Sequence, residues 1–293
     1  MAINTADTAR AKAIGAALRR VEKRYSSTER RDKDPVSVVH EFTDPLDQEL
    51  VALVAACLAF GNAKTIIAKV REVVSRLDGK PARVAEHAEG VHAAMRGFRH
   101  RVFLGEDVAR LVVGARSLQQ ARGTLGRAFE AMLAENDDDL RRALAAFVRE
   151  VRTRGEFPSV SVRRGPLHIL PDPEAGSAVK RLVLFLRWMI RPRDGVDLGL
   201  WNVDPRRLVV PVDTHVHRIG TNLGFTRERT ASWRAAVEIT QALAAYAPSD
   251  PVRFDFPLCH MGMAEDCPSK RDEKRCAPCE MREVCVHWIR KRR

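Results

Sequence analysis

Apolar residues recur at helical spacing along almost the whole chain, and strict two-residue alternation is nearly absent. The stretch "TDPLDQELVALVAACLAFGN" sets the pattern. Asp44 suits an N-cap and Pro45 the first turn, an apolar body follows, and Gly61-Asn62 closes it. "AKTIIAKVREVVSRLDG" repeats the form, with Ile66, Ile67, Val70, Val73, Val74 and Leu77 on one stripe and Asp78-Gly79 as the stop. The same spacing predicts helices over Glu106 to Arg122, Arg127 to Leu133, Asp138 to Arg152, Ser177 to Ile190, Thr214 to Leu223 and Thr230 to Ala245. The fold class this implies is all-α.

Two stretches interrupt the helical text. In "GEFPSVSVRRGPLHILPDPEAG", Pro158, Pro166, Pro171 and Pro173 forbid a long helix. A second break, "RPRDGVDLGLWNVDPRRLVVP", runs up to Asp213. Both read as loops or short strands joining helical blocks. No internal repeat and no low-complexity tract is present, although the chain ends in a short basic run, "IRKRR".

Composition adds a partner class. The chain has 293 residues, enough for one large or two modest domains, and its 50 basic residues against 38 acidic ones leave a net charge of +12. Such an excess favours polyanions, because each phosphate neutralised by Lys or Arg releases a condensed counterion. Nucleic acid is the leading partner, against the plainer reading of a solvated basic surface or a base-composition bias. No apolar run approaches the roughly 18 residues of a membrane span. The opening "MAINTADTARAKAIGAALRRVEKRY" lacks the unbroken apolar core of a signal peptide and reads as a helix, so the cytoplasm is the expected compartment.

The sharpest chemical signal lies near the C-terminus. Of six cysteines, Cys267, Cys276, Cys279 and Cys285 follow the pattern C-x8-C-x2-C-x5-C. Disulfides do not suit a chain without an export signal, so thiolate ligation of metal is the better account. Zinc usually takes two short facing knuckles, whereas one C-x2-C pair with unequal flanking spacers suits the four separate irons of a [4Fe-4S] cluster. Iron-sulfur is therefore favoured and zinc stays the alternative. Cys259 is expected on a helix outside this array, and Cys57 as a small buried hydrophobe. The run "SKRDEKR" places Lys270, Arg271, Lys274 and Arg275 inside the array, with Arg282, Arg290, Lys291, Arg292 and Arg293 after it. A metal-braced loop would hold these cations toward a phosphate backbone.

"PVDTHVHRIG" followed by helices and then the four cysteines resembles the helix-hairpin-helix DNA glycosylase superfamily, nearest in layout to the endonuclease III-like and adenine glycosylases. That family carries V-D-T-H-V-x-R, matched here at Val212, Asp213, Thr214, His215, Val216 and Arg218. Its cysteines follow C-x6-C-x2-C-x5-C, so the first spacer is two residues longer in this chain. "KRLVLFLRWMIR" and "VDLGLW" are similar to a separate iron-sulfur branch of bacteria and archaea rather than to endonuclease III itself. The resemblance covers roughly Leu46 to Trp288.

The resemblance implies a two-lobed fold: a helical barrel with a hairpin-like element over residues 46–190, and a cluster-bearing lobe from residues 1–45 with 205–293. It implies a [4Fe-4S] cluster on the four cysteines and a flipped nucleotide held in the cleft between the lobes. The partner is double-stranded DNA carrying a damaged or mismatched base, and the expected state is a monomer away from membranes. The best match to the family's glycine hairpin is "AGSAVKRLVLFL", with Gly176 at the first glycine, then Ser177, Ala178 replacing the second glycine, and Lys180 on the lysine that separates strand cleavage from hydrolysis. A helix N-terminus of this kind binds a DNA phosphate.

Asp213 is the implied catalytic carboxylate. An anion fixed near the anomeric carbon stabilises the cationic sugar of the transition state, and an N-cap carboxylate serves that role while capping its helix. Lys180 is the candidate nucleophile for a Schiff base and β-elimination, weighed against a solvated helix lysine. The gap left by a flipped nucleotide must be filled, and the matching places nominate Phe98 as wedge and Gly61 or Asn62 at the other position. His215 and His217, two apart, do not suit joint metal binding; His215 is expected to support the Asp213 turn. Trp188 and Trp201 read as core before base pocket. The alternatives are a noncatalytic DNA-binding protein that retains the fold and cluster, and a zinc-stabilised nucleic-acid module.

Overall fold

A computed structural model describes residues 5–289, leaving Arg290, Lys291, Arg292 and Arg293 outside the described residues. Helices carry the fold, which is all-α in class. Among the described residues the only strands are Arg99–His100 and Phe103–Leu104, paired antiparallel. No described helix is long and apolar enough to cross a membrane. The chain divides into two compact units, residues 31–207 and residues 1–30 with 208–293. Sequence grouped residues 31–45 with the N-terminal helix. They instead join the larger unit, because Val36, Val38 and Val39 are buried where their short helix packs on the Pro45–Leu58 and Ala63–Arg76 helices.

The larger unit is built around the Pro45–Leu58 helix, which is buried from Gln48 to its end. As its sequence predicts, Asp44 caps it by accepting from Leu46 N at 2.8 Å and Pro45 opens it. It packs against Ala63–Arg76, Gly105–Arg122 and Lys180–Ile190, while Leu140–Arg154 closes over Gly105–Arg122 and Leu125–Glu135. Glu49 is a buried carboxylate, and its burial raises its pKa even though it is well partnered. It accepts from Gln119 Nε2 at 2.8 Å, Leu125 N at 2.8 Å, Gly126 N at 2.9 Å and Trp201 Nε1 at 2.7 Å. One anion thus satisfies the start of the Leu125–Glu135 helix and pins the second irregular stretch to the core. Trp188 and Trp201 are both buried, Trp201 among Phe129, Phe147 and Phe185, which is the core role expected of them.

The smaller unit assembles Thr5–Tyr25, Thr214–Leu223, Trp233–Ala244, Asp255–Ala264 and Val286–Ile289. Thr5–Tyr25 packs on Asp255–Ala264, which in turn packs on Thr214–Leu223. Arg10 ties the first helix to the others by donating to Leu223 O at 2.8 Å and Val284 O at 3.3 Å. Arg20 and Arg24 hold Glu280 at 3.1 and 3.0 Å.

Candidate active site and cysteine cavity

Asp213 sits where a buried apolar lead-in, Leu208 to Val212, turns into the Thr214–Leu223 helix. The lead-in is fixed by Val210 N donating to Thr240 Oγ1 at 2.9 Å. Asp213 keeps an extended backbone, and its Oδ1 accepts from His215 N and Val216 N, both at 2.9 Å. Its other oxygen, Oδ2, lies 3.6 Å from the Cys259 thiol, which donates to it from the Asp255–Ala264 helix. The carboxyl is therefore oriented through both oxygens while the residue remains half-exposed. His215 takes part through its backbone, and His217 Nε2 instead pairs with Glu228 O at 3.0 Å, so the two histidines share no ligand.

The same helix runs directly into the cysteines. Arg218 Nη1 donates to Cys267 O at 2.5 Å, and one turn on, Asn222 Nδ2 reaches Cys267 Sγ at 3.6 Å and Pro268 O at 3.4 Å. Cys267, Cys276, Cys279 and Cys285 all line one cavity, with Ile219, Leu223 and Met281 as apolar wall. All four are free of disulfides. Burial pushes the Cys267 and Cys285 thiols up and the Cys279 thiol up to about 12, so metal would have to displace their protons. Among the described residues no three His, Cys, Asp or Glu side chains are drawn together to grip a single ion. Four thiols around an apolar cavity fit the soft sulfur donor set of an iron-sulfur cluster, whose ligands reach separate irons instead of one point.

The loop cations are exposed at Lys270, Arg271, Lys274 and Arg275, but two of them are committed within the loop. Arg271 binds Glu273 at 2.7 Å and lies 4.0 Å from the Trp288 ring, and Arg275 binds Asp266 at 2.9 Å. Lys270 and Lys274 make no ion pair among the described residues.

The stretch that the sequence matches to a glycine hairpin carries less helix than its text predicts. Its first part is the Gly165–Ile169 helix and a 3-10 turn over Pro173–Ala175, as the prolines dictate, and its second helix begins at Lys180 rather than Ser177. Gly176 has φ +92° with open space around it, and Ser177 is exposed, its Oγ accepting from Val179 N at 3.3 Å. Ala178 is buried. Val179 takes φ 38° in the left-handed region, a β-branched residue where strain is on the order of 1–3 kcal/mol. Lys180 occupies the first turn of its helix in the larger unit and is half-buried.

The gap-filling assignments need correction. Phe98 is 2 % exposed, with the Lys69 ammonium 5.2 Å from its ring centroid, and so belongs to the core. The exposed apolar residues of this region are Phe60, at 47 %, and Val102, at 38 %. The two segments that carry them are joined where buried His100 bonds Leu58 O at 3.1 Å, and the Arg101 guanidinium lies 5.3 Å from the Phe60 ring. Gly61, at φ +119°, admits that guanidinium: a Cβ there would lie 2.9 Å from Arg101 Nη2. Asn62 is exposed, and its Oδ1 caps Ala63–Arg76, accepting from Lys64 N at 3.0 Å and Thr65 N at 3.4 Å; it opens that helix instead of closing the previous one. Sequence reading placed Cys259 on a helix outside the array, as found, but missed its contact with Asp213, and it missed Phe60, Asn222 and Trp288. Only Phe60 left a signal, an aromatic placed after the last helical apolar position beside Gly61.

The model of a family described as "Protein of unknown function (DUF2400)" matches residues 34–264, more than half of the chain. No curated protein and no solved structure matches it.

Proposed function

The chain belongs to the DUF2400 family, and we propose that it is a DNA base-excision protein, an N-glycosylase with abasic-site lyase activity and a helix-hairpin-helix glycosylase-like fold. The observation that carries this reading is a single helix with an oriented carboxylate at its start and a four-cysteine cavity along its C-terminal half. Asp213 serves as the fixed anion. As the glycosidic bond breaks and its electrons leave with the base, positive charge grows on the sugar, and the carboxylate stabilises that state more than the ground state. Lys180 is the candidate amine. Its lone pair forms a bond to C1′ as the base departs, the nitrogen gives up a proton, the ring C1′–O4′ bond opens with O4′ taking a proton to leave a Schiff base, and loss of a 2′ proton from that Schiff base expels the 3′ phosphate.

Phe60 and Val102 take the gap-filling role, because a flipped nucleotide leaves a stack that an exposed aromatic side chain can enter. Lys270, Lys274 and the hairpin residues Gly176, Ser177 and Ala178 serve the phosphate backbone. Cys267, Cys276, Cys279 and Cys285 would hold a [4Fe-4S] cluster, which when bound supplies iron-thiolate bonds that fasten their loop. A second reading, a noncatalytic DNA-binding protein, is favoured by Ala178 in place of a hairpin glycine and by the strained Val179 that follows it.

The test is a panel of duplex oligonucleotides, each with one lesion, assayed for base release and for borohydride trapping. Release and trapping by the native protein, with trapping lost in Lys180→Ala and the Lys180→Arg protein folded, is the expected outcome. Binding without release on any member favours the noncatalytic reading. Trapping retained in Lys180→Ala removes Lys180 as nucleophile. Zinc in place of iron and sulfide in the purified protein removes the cluster.

A further inference from the structure

Besides Arg275 and Arg282, three nitrogen-bearing side chains line the cysteine cavity: Asn222, His287 and Trp288. Asn222 already directs its amide at sulfur, 3.6 Å from Cys267 Sγ. The other two are less easily explained. His287 Nε2 and Trp288 Nε1 are buried nitrogens with no hydrogen-bond partner. An indole N–H can only donate, and burying it unpaired is unfavourable, so its position calls for an acceptor beyond the protein's own oxygens.

Trp288 is also held by two guanidinium groups. Arg271 and Arg282 each place a guanidinium 4.0 Å from its ring, and both bind Glu273, at 2.7 and 3.5 Å. Two cations tied to one carboxylate thus fix the plane of the indole and with it the direction of its N–H. The loop charge that sequence alone would send to phosphate does this instead at Arg271.

We propose that Asn222, His287 and Trp288 donate N–H hydrogen bonds to the sulfurs of the cluster and thereby raise its reduction potential. The inference rests on the cluster reading above. Sulfur bound to iron carries more negative charge in the reduced state, so donors aimed at it stabilise that state more than the oxidised one. His287 acts here as its Nε2–H tautomer, which the bond itself would select.

The experiment is a spectroelectrochemical titration of the purified protein beside Trp288→Phe, which keeps an aromatic ring for the two guanidinium groups and removes the N–H. The expected result is equal iron and sulfide content and a midpoint moved to more negative potential on the order of 59 mV, a tenfold change in a one-electron equilibrium. Asn222→Ala is expected to shift it in the same direction. An unchanged potential in a fully loaded Trp288→Phe protein overturns the proposal while leaving the cluster reading intact. If the native protein contains no iron and sulfide, the cluster reading fails first, and metal analysis shows this before any titration. Should Trp288→Phe not load, pulsed electron-nuclear resonance on native protein with 15N-indole tryptophan replaces it. An exchangeable indole proton coupled to the cluster supports the proposal, and no coupling overturns it.

Discussion

Asp213 caps its helix and is proposed as the catalytic anion, and substitution can divide the two duties. Its Oδ1 caps a helix through two backbone N–H groups, and its Oδ2 accepts from Cys259. Asp213→Ala removes the cap, a loss of about 0.5–2 kcal/mol. Asp213→Asn keeps an oxygen acceptor, and Asn caps as well as Asp, so only the charge-dipole part goes, about 0.3–1 kcal/mol. Its new amide would meet the Cys259 sulfur as donor, turning that contact around without emptying it. On the usual scaling for larger domains the melting point of Asp213→Asn should fall by only about 1–4 °C. Chemistry should respond differently. Losing a fixed charge that faces the transition state costs on the order of 10²- to 10³-fold in rate. The assay pairs thermal denaturation with single-turnover base release on a lesion-bearing duplex, and anisotropy checks that DNA binding survives. An Asp213→Asn protein that releases base at the native rate would refute the catalytic role and leave Asp213 a helix cap.

Other consequences are equally direct. Phe98→Ala should cost about 3–5 kcal/mol in urea unfolding as a core truncation, whereas Phe60→Ala should leave stability nearly unchanged and weaken binding to a duplex with an abasic gap by about 1–3 kcal/mol. The opposite pattern would restore Phe98 as the wedge. Burial holds the His100 imidazole below its ordinary value of 6.5, so the unfolded chain binds its proton more readily. The stability this group contributes is present above pH 6.5 and is lost as pH falls from there through the lower folded value. Urea midpoints measured from pH 8 to pH 5 should show that loss in the native protein and a smaller one in His100→Phe; equal slopes would reject it. Stripping iron with chelator and oxidant should raise hydrogen exchange in the Cys267 to Cys285 loop and the last turn of Thr214–Leu223, while amides around Glu49 stay protected. Uniform exchange would deny the local coupling.

Much of the molecule was written in its periodicity. The apolar stripe and Asp44-Pro45 start placed the Pro45–Leu58 helix, Asp78 and Gly79 ended the next one in positive φ, and the prolines kept the Gly155 to Gly176 stretch irregular. Asp213 as an N-cap was equally legible, because capping depends on residues two and three positions away. Contacts distant in sequence were not. That Phe98 packs inward while Phe60 stands exposed depends on His100 reaching Leu58 O, 42 positions away, and that Cys259 meets Asp213 depends on two helices packing. Cysteine spacing grouped Cys267, Cys276, Cys279 and Cys285, but only tertiary packing set Asn222, His287 and Trp288 on the same cavity and placed Arg271 against an indole ring. Local hydrogen bonds and apolar period are encoded within a turn or two of chain. Which side chain ends buried, paired or exposed is settled by surfaces that meet only once the helices have assembled.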